Sequence, residues 1–477
     1  MIGLVLAVVA LALAATGAVV PRPGPVAGWL GAGPDPKESS ASAAEPPPPP
    51  VLSTVAANAP MPSPEGIRAA LEPLITASGI RRVNLSVLDV ATGQPLYERG
   101  AQVMTVPAST TKLATAAAVL STRGPAYRIA TRVVAGQTPG EVVLVGGGDP
   151  TLAVDATRSY PGAARLDRLA ADVKRALGGQ PVTKVTVDVS LFSGPRYEPA
   201  WDPGTPNEGY GAAITALMTN GARVDPKQSV GQAERVPQPD LAAGRSFARL
   251  LGVPEEAVAR GKAPAAAGPP AGASAAATAS PGSAGTPGAE LGRVESPPVL
   301  RLVEFMLGES DNVVAEFLAR QVALARGQPA SFVGAAAAVD AVLADLTLDA
   351  GQSALADGSG LSRANRITPA LLARILALSA DPAHPELAGV AAGLPVAAWS
   401  GTLRDRYGTA PGGSSAAGVV RAKTGTLSGV HSLAGMVTTA DGRLLAFAIM
   451  ADDVPVTLDA RPRIDRMAAT LAACGCR

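Results

Sequence analysis

Five consecutive prolines, Pro46 to Pro50 in "EPPPPPV", can join neither a helix nor a sheet interior, because each ring fixes φ and removes an N–H donor. They close a stretch rich in Pro, Ala, Gly and Ser, residues 21–62, which reads as a stiff polyproline II spacer. A second tract of similar composition, residues 262–296, cannot bury enough apolar surface to order itself. Core-like sequence flanks it on both sides, so it reads as a disordered loop within a folded body. Folding is thereby confined to residues 63–261 and 297–477 of the 477-residue chain, room for two or three domains.

Ahead of the first tract, Ile2 to Val20 carries no charge. As a helix it would span about 28 Å, close to the hydrocarbon thickness of a bilayer. Ala12, Ala14 and Ala18 permit cleavage, while Arg22 and Lys37 follow the run rather than precede it, against a cytoplasmic amino terminus. Residues 1–20 are expected to be an export signal retained as a membrane anchor, with the body on the extracytoplasmic side.

Composition removes several function classes. Lys and Arg number 40 against 39 Asp and Glu, and aromatics are 3%, so neither charge nor stacking surface favours nucleic acid as a partner. The two histidines, His384 and His431, exclude a zinc site built on several His, and no Cys cluster compensates. His384, in the Pro-flanked "DPAHPE", reads as a solvated surface residue. His431, inside a strand, reads as a packed core or cleft-edge residue rather than a catalyst. Cys474 and Cys476 are separated by one residue, which disfavours an unstrained mutual disulfide, and "CGCR" is expected to be a frayed tail. No metal or organic cofactor is expected.

Periodicity outlines an α+β fold. Residues 64–78 pattern as a helix, and "VNLSVLDVATGQPLYERG" as strand, turn at Ala91-Thr92-Gly93, and strand. "VVRAKTG", "HSLAGMVTT" and "RLLAFAIM" pattern as three strands, the last two joined by a tight hairpin at "ADG", 440–442. A final helix over 457–473 sets Ile464, Met467, Ala468 and Leu471 on one face. Both ends of the body thus feed one antiparallel sheet with helices packed on it. Residues 298–350 are helical in pattern. Residues 128–261 alternate short strands with a helix near 164–177 and are expected to be an inserted domain. "GGGDP", 146–150, lacks the spacing of a phosphate cradle and reads as a structural turn.

Ser109 and Lys112 in "PASTTK" stand three positions apart. Ser109 could simply cap the helix that "LATAAAVL" announces. On that helix, however, residues i and i+3 share a face, so the Lys112 amine reaches the Ser109 hydroxyl. Free N–H groups at the helix start can stabilise an oxyanion. A lysine acts as a base only when neutral, and burial or a second cation lowers its pKa. The second cation is present in "KTG", Lys423, Thr424 and Gly425, at the end of a β-branched run. "SDN", Ser310, Asp311 and Asn312, falls between two helical stretches. The three tripeptide signals in this order, on a helix, an inter-helix loop and a strand, form a strong pattern.

With these motifs the chain resembles the low-molecular-mass class C penicillin-binding proteins, the D-alanyl-D-alanine carboxypeptidases and endopeptidases typified by penicillin-binding protein type 4. The likeness covers about residues 63–473 and includes "LVGGGDPTL", "DGSGLSRANRITP", "LPVAAWSGTLRDRY" and "KTGTLSGVHSLAG". It implies a transpeptidase/β-lactamase-like fold: an antiparallel five-stranded sheet flanked by helices, a helical subdomain, and an inserted domain between the first two motifs. The catalytic part would be split between residues 63–127 and 297–477. The substrates implied are peptidoglycan stem peptides, with β-lactams as covalent inhibitors. Ser109 would attack the penultimate D-alanine carbonyl and Lys112 take its proton. Ser310 would relay a proton to the leaving amine, and Asn312 would bind substrate backbone and help hold Lys112. Lys423 and Thr424 would attract the terminal carboxylate, the N–H groups of Ser109 and Thr426 would form the oxyanion hole, and Gly425 would let substrate lie against its strand. Asp311 reads as a loop or helix-cap residue, and Asp357, Ser359 and Arg363 as turn and packing residues. The E-x-x-L-N glutamate that class A β-lactamases use for deacylation is missing, so a persistent penicilloyl adduct is expected. A serine β-lactamase or esterase of the same fold, or a non-catalytic cell-wall scaffold, are the rival readings.

Overall fold

The computed structural model describes residues 59–157, 160–205, 207–228, 230–265, 285–348, 351–408, 416–455 and 457–477, all within a unit running from Leu52 to Arg477. The apolar run 1–20, the spacer up to residue 58 and residues 266–284 of the second tract lie outside them. Among the described residues no helix is long and apolar enough to cross a membrane.

Helix α1 (Pro64–Thr76) starts where Ser63 Oγ accepts the Gly66 N–H at 3.0 Å and Pro64 occupies the first turn. Its Ile67, Leu71 and Ile75 recur every fourth residue and are buried. Strands β1 (Asn84–Asp89) and β2 (Pro95–Arg99) form a hairpin; Asp89 Oδ2 accepts the Thr92 N–H at 2.8 Å and hydroxyl at 2.6 Å. Helix α2 (Thr111–Arg123) carries Lys112 of the first motif. The inserted region then contributes β3 (Ala130–Ala135), β4 (Glu141–Val145), α3 (Leu166–Ala176), β5 (Lys184–Asp188), α4 (Pro239–Leu251), β6 (Val258–Arg260) and β7 (Glu290–Glu295). Three helices follow, α5 (Val299–Glu309), α6 (Asn312–Ala325) and α7 (Phe332–Asp345), with the second motif between α5 and α6. Next come the short pair β8 (Ser353–Ala354) and β9 (Arg366–Ile367), helices α8 (Pro369–Leu378) and α9 (Ala388–Ala392), strands β10 (Arg421–Leu427), β11 (Val430–Thr438) and β12 (Leu444–Ala451), and α10 (Arg461–Ala472).

The expected sheet forms with order β10-β11-β12-β1-β2, antiparallel throughout. It is covered on both faces, and β12 shows how. Leu445, Phe447 and Ile449 pack with Ile67, Leu71, Ile464 and Met467 on the α1/α10 side. Ala446, Ala448 and Met450 pack with Leu113, Leu120 and Leu371 on the α2/α8 side. Fully burying each large side chain contributes about 1.5–3 kcal/mol. Helix α8 lies directly on β12 and β1, and the turn Ala108–Thr110, which holds Ser109, lies against β10 and β11.

The inserted region builds a second five-stranded sheet, order β6-β5-β4-β3-β7, with β4/β5 and β5/β6 parallel. Strand β7 corrects the expected loop 262–296: Glu290–Glu295 pairs antiparallel with β3. Three of its six residues, Glu290, Arg293 and Glu295, are exposed and charged, so its composition gave no strand signal. Helix α4 was not expected; Pro239 in its first turn and left-handed Gly252 after it are its ordinary start and stop signals. Helix α10 begins later than 457 because Pro462 belongs in a first turn.

Both ends of the body are more ordered than composition suggests. Ala59 is buried and its carbonyl oxygen accepts an Arg443 N–H at 3.3 Å, so packing begins before Ser63. The carboxy terminus is not frayed. Cys474 is buried, Cys476 O accepts the Ser63 N–H at 2.7 Å, and the two cysteines are bonded to each other. Their Cα atoms are 5.0 Å apart, a separation a disulfide accommodates.

Candidate active site

Ser109 does not act as a helix cap. It sits in a one-turn 3-10 helix, Ala108–Thr110, ahead of α2, and no side chain caps either start. Ala108 has φ +48, a region that L residues adopt only when neighbours hold them there. Two glycines make room for it. A Cβ on Gly360 would overlap the Ala108 carbonyl oxygen. One on Gly425 would overlap Ser432 Oγ and lie 2.7 Å from Pro107 O. The glycine of the third motif is therefore needed for packing of the serine turn onto β10, a requirement separate from the approach of substrate that the resemblance implies for it.

Lys112 is fully buried, and its Nζ lies 2.9 Å from Ser109 Oγ, 2.6 Å from Asn312 Oδ1 and 2.6 Å from the Ser359 carbonyl oxygen. A neutral amine has two N–H groups and one lone pair. The amide and carbonyl oxygens can only accept, so they take the two N–H groups and direct the lone pair at the serine hydroxyl. Burial pushes the Lys112 pKa down to about 8, against the opposing pull of Asp357, Asp311 and Glu316. At that value about one molecule in ten is neutral at pH 7, against one in a few thousand for an ordinary lysine.

Lys423, also fully buried, donates to Ser310 Oγ and to Thr424 O, each at 2.8 Å. Burial, and then the charge of Lys112, hold its pKa well below the ordinary value. Burial of the apolar helix lowers Lys112, as expected, and two buried amines this near each other each disfavour the other's charge. Ser310 has φ +58. Asp311 caps α6, its Oδ1 accepting the Val314 N–H at 3.0 Å, and its Oδ2 accepts from Arg223 and Tyr160, each at 3.2 Å. Burial pushes the Asp311 pKa up, but Arg235 and Arg223 outweigh it and hold the carboxyl below its usual range. Asn312 reaches both ways: Oδ1 to Lys112, and Nδ2 to Tyr210 O at 2.9 Å.

Ser109, Ser310, Asn312, Thr424 and Thr426 thus meet along one cleft of about 940 Å³, with both lysines beneath its floor. Strand β10 is the sheet edge; its start pairs with the Pro395–Val396 segment, and Thr424, Thr426 and Leu427 beyond it line the cleft. Thr424 Oγ1 lies 2.9 Å from Thr402 Oγ1. The inserted region forms part of the cleft wall through Asp202, Glu208 and Tyr210. His431, opposite Thr426 in the strand register, is a cleft-edge residue as expected. Burial and then Arg461 lower its pKa.

Other participants were read as packing or not read at all. The Ser359 carbonyl is held by Glu316, whose Oε1 accepts the Gly358 and Ser359 N–H groups at 3.1 and 2.9 Å. Glu316 is fully buried beside Arg320. Burial, and then Asp357, raise its pKa to about 7. Asp357 shapes the same loop by accepting from Gly360 N and Ser362 N at 2.7 Å each, and from Trp201 Nε1 at 2.8 Å. Arg363 links Asp202 of the inserted region to Ser428 O in the β10–β11 turn. A sequence signal existed for these residues, since Ser359, Asp357, Arg363 and Thr402 all lie in stretches singled out above.

Comparison with known proteins shows the family and the fold. Residues 68–261 and 271–473 match the D-Ala-D-Ala carboxypeptidase 3 (S13) family. A carboxypeptidase of Mycobacterium tuberculosis is 38% identical over 427 residues, 88% of this chain and 87% of the relative. The carboxypeptidase DacB of Mycolicibacterium smegmatis is 37% identical, covering 88% of this chain and 86% of the relative. The crystal structure of penicillin binding protein 4 from Haemophilus influenzae shares the fold, with TM-score 0.65 and 20% identity, covering 84% of this chain and 97% of that one.

Proposed function

The chain belongs to the D-Ala-D-Ala carboxypeptidase 3 (S13) family and is a serine-type carboxypeptidase, and we propose that it cleaves peptidoglycan stem peptides through an acyl-enzyme on Ser109. The observation that carries this reading is the setting of Lys112 Nζ, with two acceptors on its N–H groups and Ser109 Oγ at 2.9 Å. Lys112 takes the hydroxyl proton as Ser109 Oγ bonds to the penultimate D-alanine carbonyl carbon. The N–H groups of Ser109 and Thr426 receive the oxyanion. As the peptide C–N bond breaks, Ser310, hydrogen-bonded to Lys423, passes its proton to the departing D-alanine amine and is reprotonated with the proton that Lys112 had taken, which leaves Lys112 neutral for the water step. Thr424 binds the terminal carboxylate, which Lys423 attracts from beneath the floor, and Asn312 binds the substrate backbone. Water then hydrolyses the ester and restores the Ser109 hydroxyl.

β-Lactams present a carbonyl to the same serine. A β-lactam complex of the Haemophilus influenzae protein supports extending this to the present chain. The apolar run 1–20 and the Pro-rich spacer support export and retention at the outer face of the membrane, where stem peptides lie. Digestion of purified muropeptides, followed by mass spectrometry, tests the reading. Loss of one terminal D-alanine marks carboxypeptidase action, conversion of dimers to monomers marks endopeptidase action, and unchanged muropeptides overturn the proposal.

A further inference from the structure

The second motif is gripped from outside the catalytic body. We propose that Arg223, from the region inserted between the first two motifs, is a positioning residue for the reaction: by pairing with Asp311 it keeps Ser310 aimed at Lys423 and Asn312 at Lys112. The inference rests on the acyl-enzyme reading and adds to it a role for the inserted region.

Three consecutive side chains of the motif point to three different partners. Ser310 Oγ receives Lys423 Nζ at 2.8 Å, Asp311 Oδ2 receives Arg223 Nη2 at 3.2 Å, and Asn312 Oδ1 receives Lys112 Nζ at 2.6 Å. A shift of the middle residue therefore moves both catalytic contacts. Ser310 is held in the left-handed region, φ +58, which a serine does not keep without restraint. Asp311 supplies that restraint at both oxygens, capping α6 with Oδ1 and meeting Arg223 and Tyr160 with Oδ2. The Arg223 and Asp311 side chains are 1% and 2% exposed, so this is a desolvated ion pair rather than a surface contact.

Arg223 is itself aimed by strained backbone. Asn220, Gly221 and Ala222 have φ +52, +60 and +62 in succession, and Arg223 follows directly. Gly221 has no Cβ to spare, because one would lie 2.5 Å from the Tyr160 hydroxyl oxygen. Arg223 Nη1 donates to Gly231 O at 3.2 Å. Left-handed turns of this kind persist where the surroundings over-determine them, and they cluster at functional sites.

The full chain is titrated with a fluorescent penicillin, and two quantities are read: label bound per molecule at saturation, and the second-order rate of labelling. Arg223→Met is expected to label fully but about tenfold or more slowly. Arg223→Met with Asp311→Asn is expected to recover to within about threefold of the natural chain, since the amide keeps the helix cap and removes a buried charge that has lost its ion-pair partner and keeps only the more distant Arg235. Tyr160→Phe, which removes one hydroxyl and keeps the ring, covers the case that Arg223→Met does not fold, and is expected to slow labelling about two- to fivefold. Labelling of these variants at the natural rate, even with a lowered Tm, overturns the proposal and leaves the pair a structural one. No labelling of the natural chain overturns instead the acyl-enzyme reading on which the proposal rests.

Discussion

Lys112 Nζ lies 2.6 Å from the carbonyl oxygen of Ser359, a residue 247 positions further along the chain. Together with Asn312 Oδ1 this main-chain oxygen fixes the amine's two N–H groups, and so the direction of its lone pair. The base is oriented by a loop that contributes no side chain to the contact.

Activity should follow the neutral form of that base. Burial sets Lys112 at about 8, so acylation by penicillin is expected to rise about tenfold per pH unit below that value and to level off above it. Stopped-flow labelling between pH 5 and 9.5 checks the curve, and a plateau already reached at pH 6 contradicts it. Because the folded value lies below the unfolded one near 10.5, this buried lysine costs stability below about pH 8, by roughly 3 kcal/mol. The cost is relieved as pH rises from there.

Glu316 titrates in the opposite sense. Its folded pKa, about 7, lies above the ordinary glutamate value of 4.5. The stability this represents is fully present below pH 4.5 and is lost as pH rises to about 7, again roughly 3 kcal/mol. Glu316→Gln removes the titrating group. Chemical denaturation at a series of pH values should show the slope between 4.5 and 7 flattened in the variant relative to the natural chain. Parallel slopes refute the assignment.

Gly425→Ala separates packing from substrate access. The added methyl group meets Pro107 O and Ser432 Oγ on the buried side of β10. It is expected to lower stability by about 1–3 kcal/mol and to displace the serine turn, slowing acylation. A crystal structure of the variant should show Pro107 and Ala108 moved away from the strand. An unmoved turn with lost substrate affinity would restore the sequence-based explanation.

Deacylation should be slow with β-lactams. The described residues place Glu316 within the site's support, but both of its oxygens already hold protein groups, the Gly358 and Ser359 N–H groups and Arg320. Intact-mass measurement after removal of free penicillin is expected to show the adduct persisting long after acylation is complete. Rapid return of the unmodified mass would favour a β-lactamase.

What was legible in the sequence follows from what each residue does. The alternation of Leu445, Phe447 and Ile449 with Ala446, Ala448 and Met450 marks a strand because its two faces bury different partners. Ser109, Lys112, Ser310, Asn312 and Lys423 announce themselves because short-range spacing fixes their chemistry. The Ser359 carbonyl does not, since every residue has a carbonyl and only the loop's path selects one. Arg223 and Asp311 are 88 positions apart, and nothing local in either segment signals a pairing made by the fold. Strand β7 was missed because an edge strand is held by its backbone, and its solvent-facing side chains resemble those of a loop.

The most direct measurement is a peptide map of the full chain after incubation with penicillin. The account predicts one added penicillin mass, confined to the tryptic peptide from Gly100 to Lys112 and absent from the Ser109→Ala variant. Mass added to another peptide, or retained in Ser109→Ala, would contradict it.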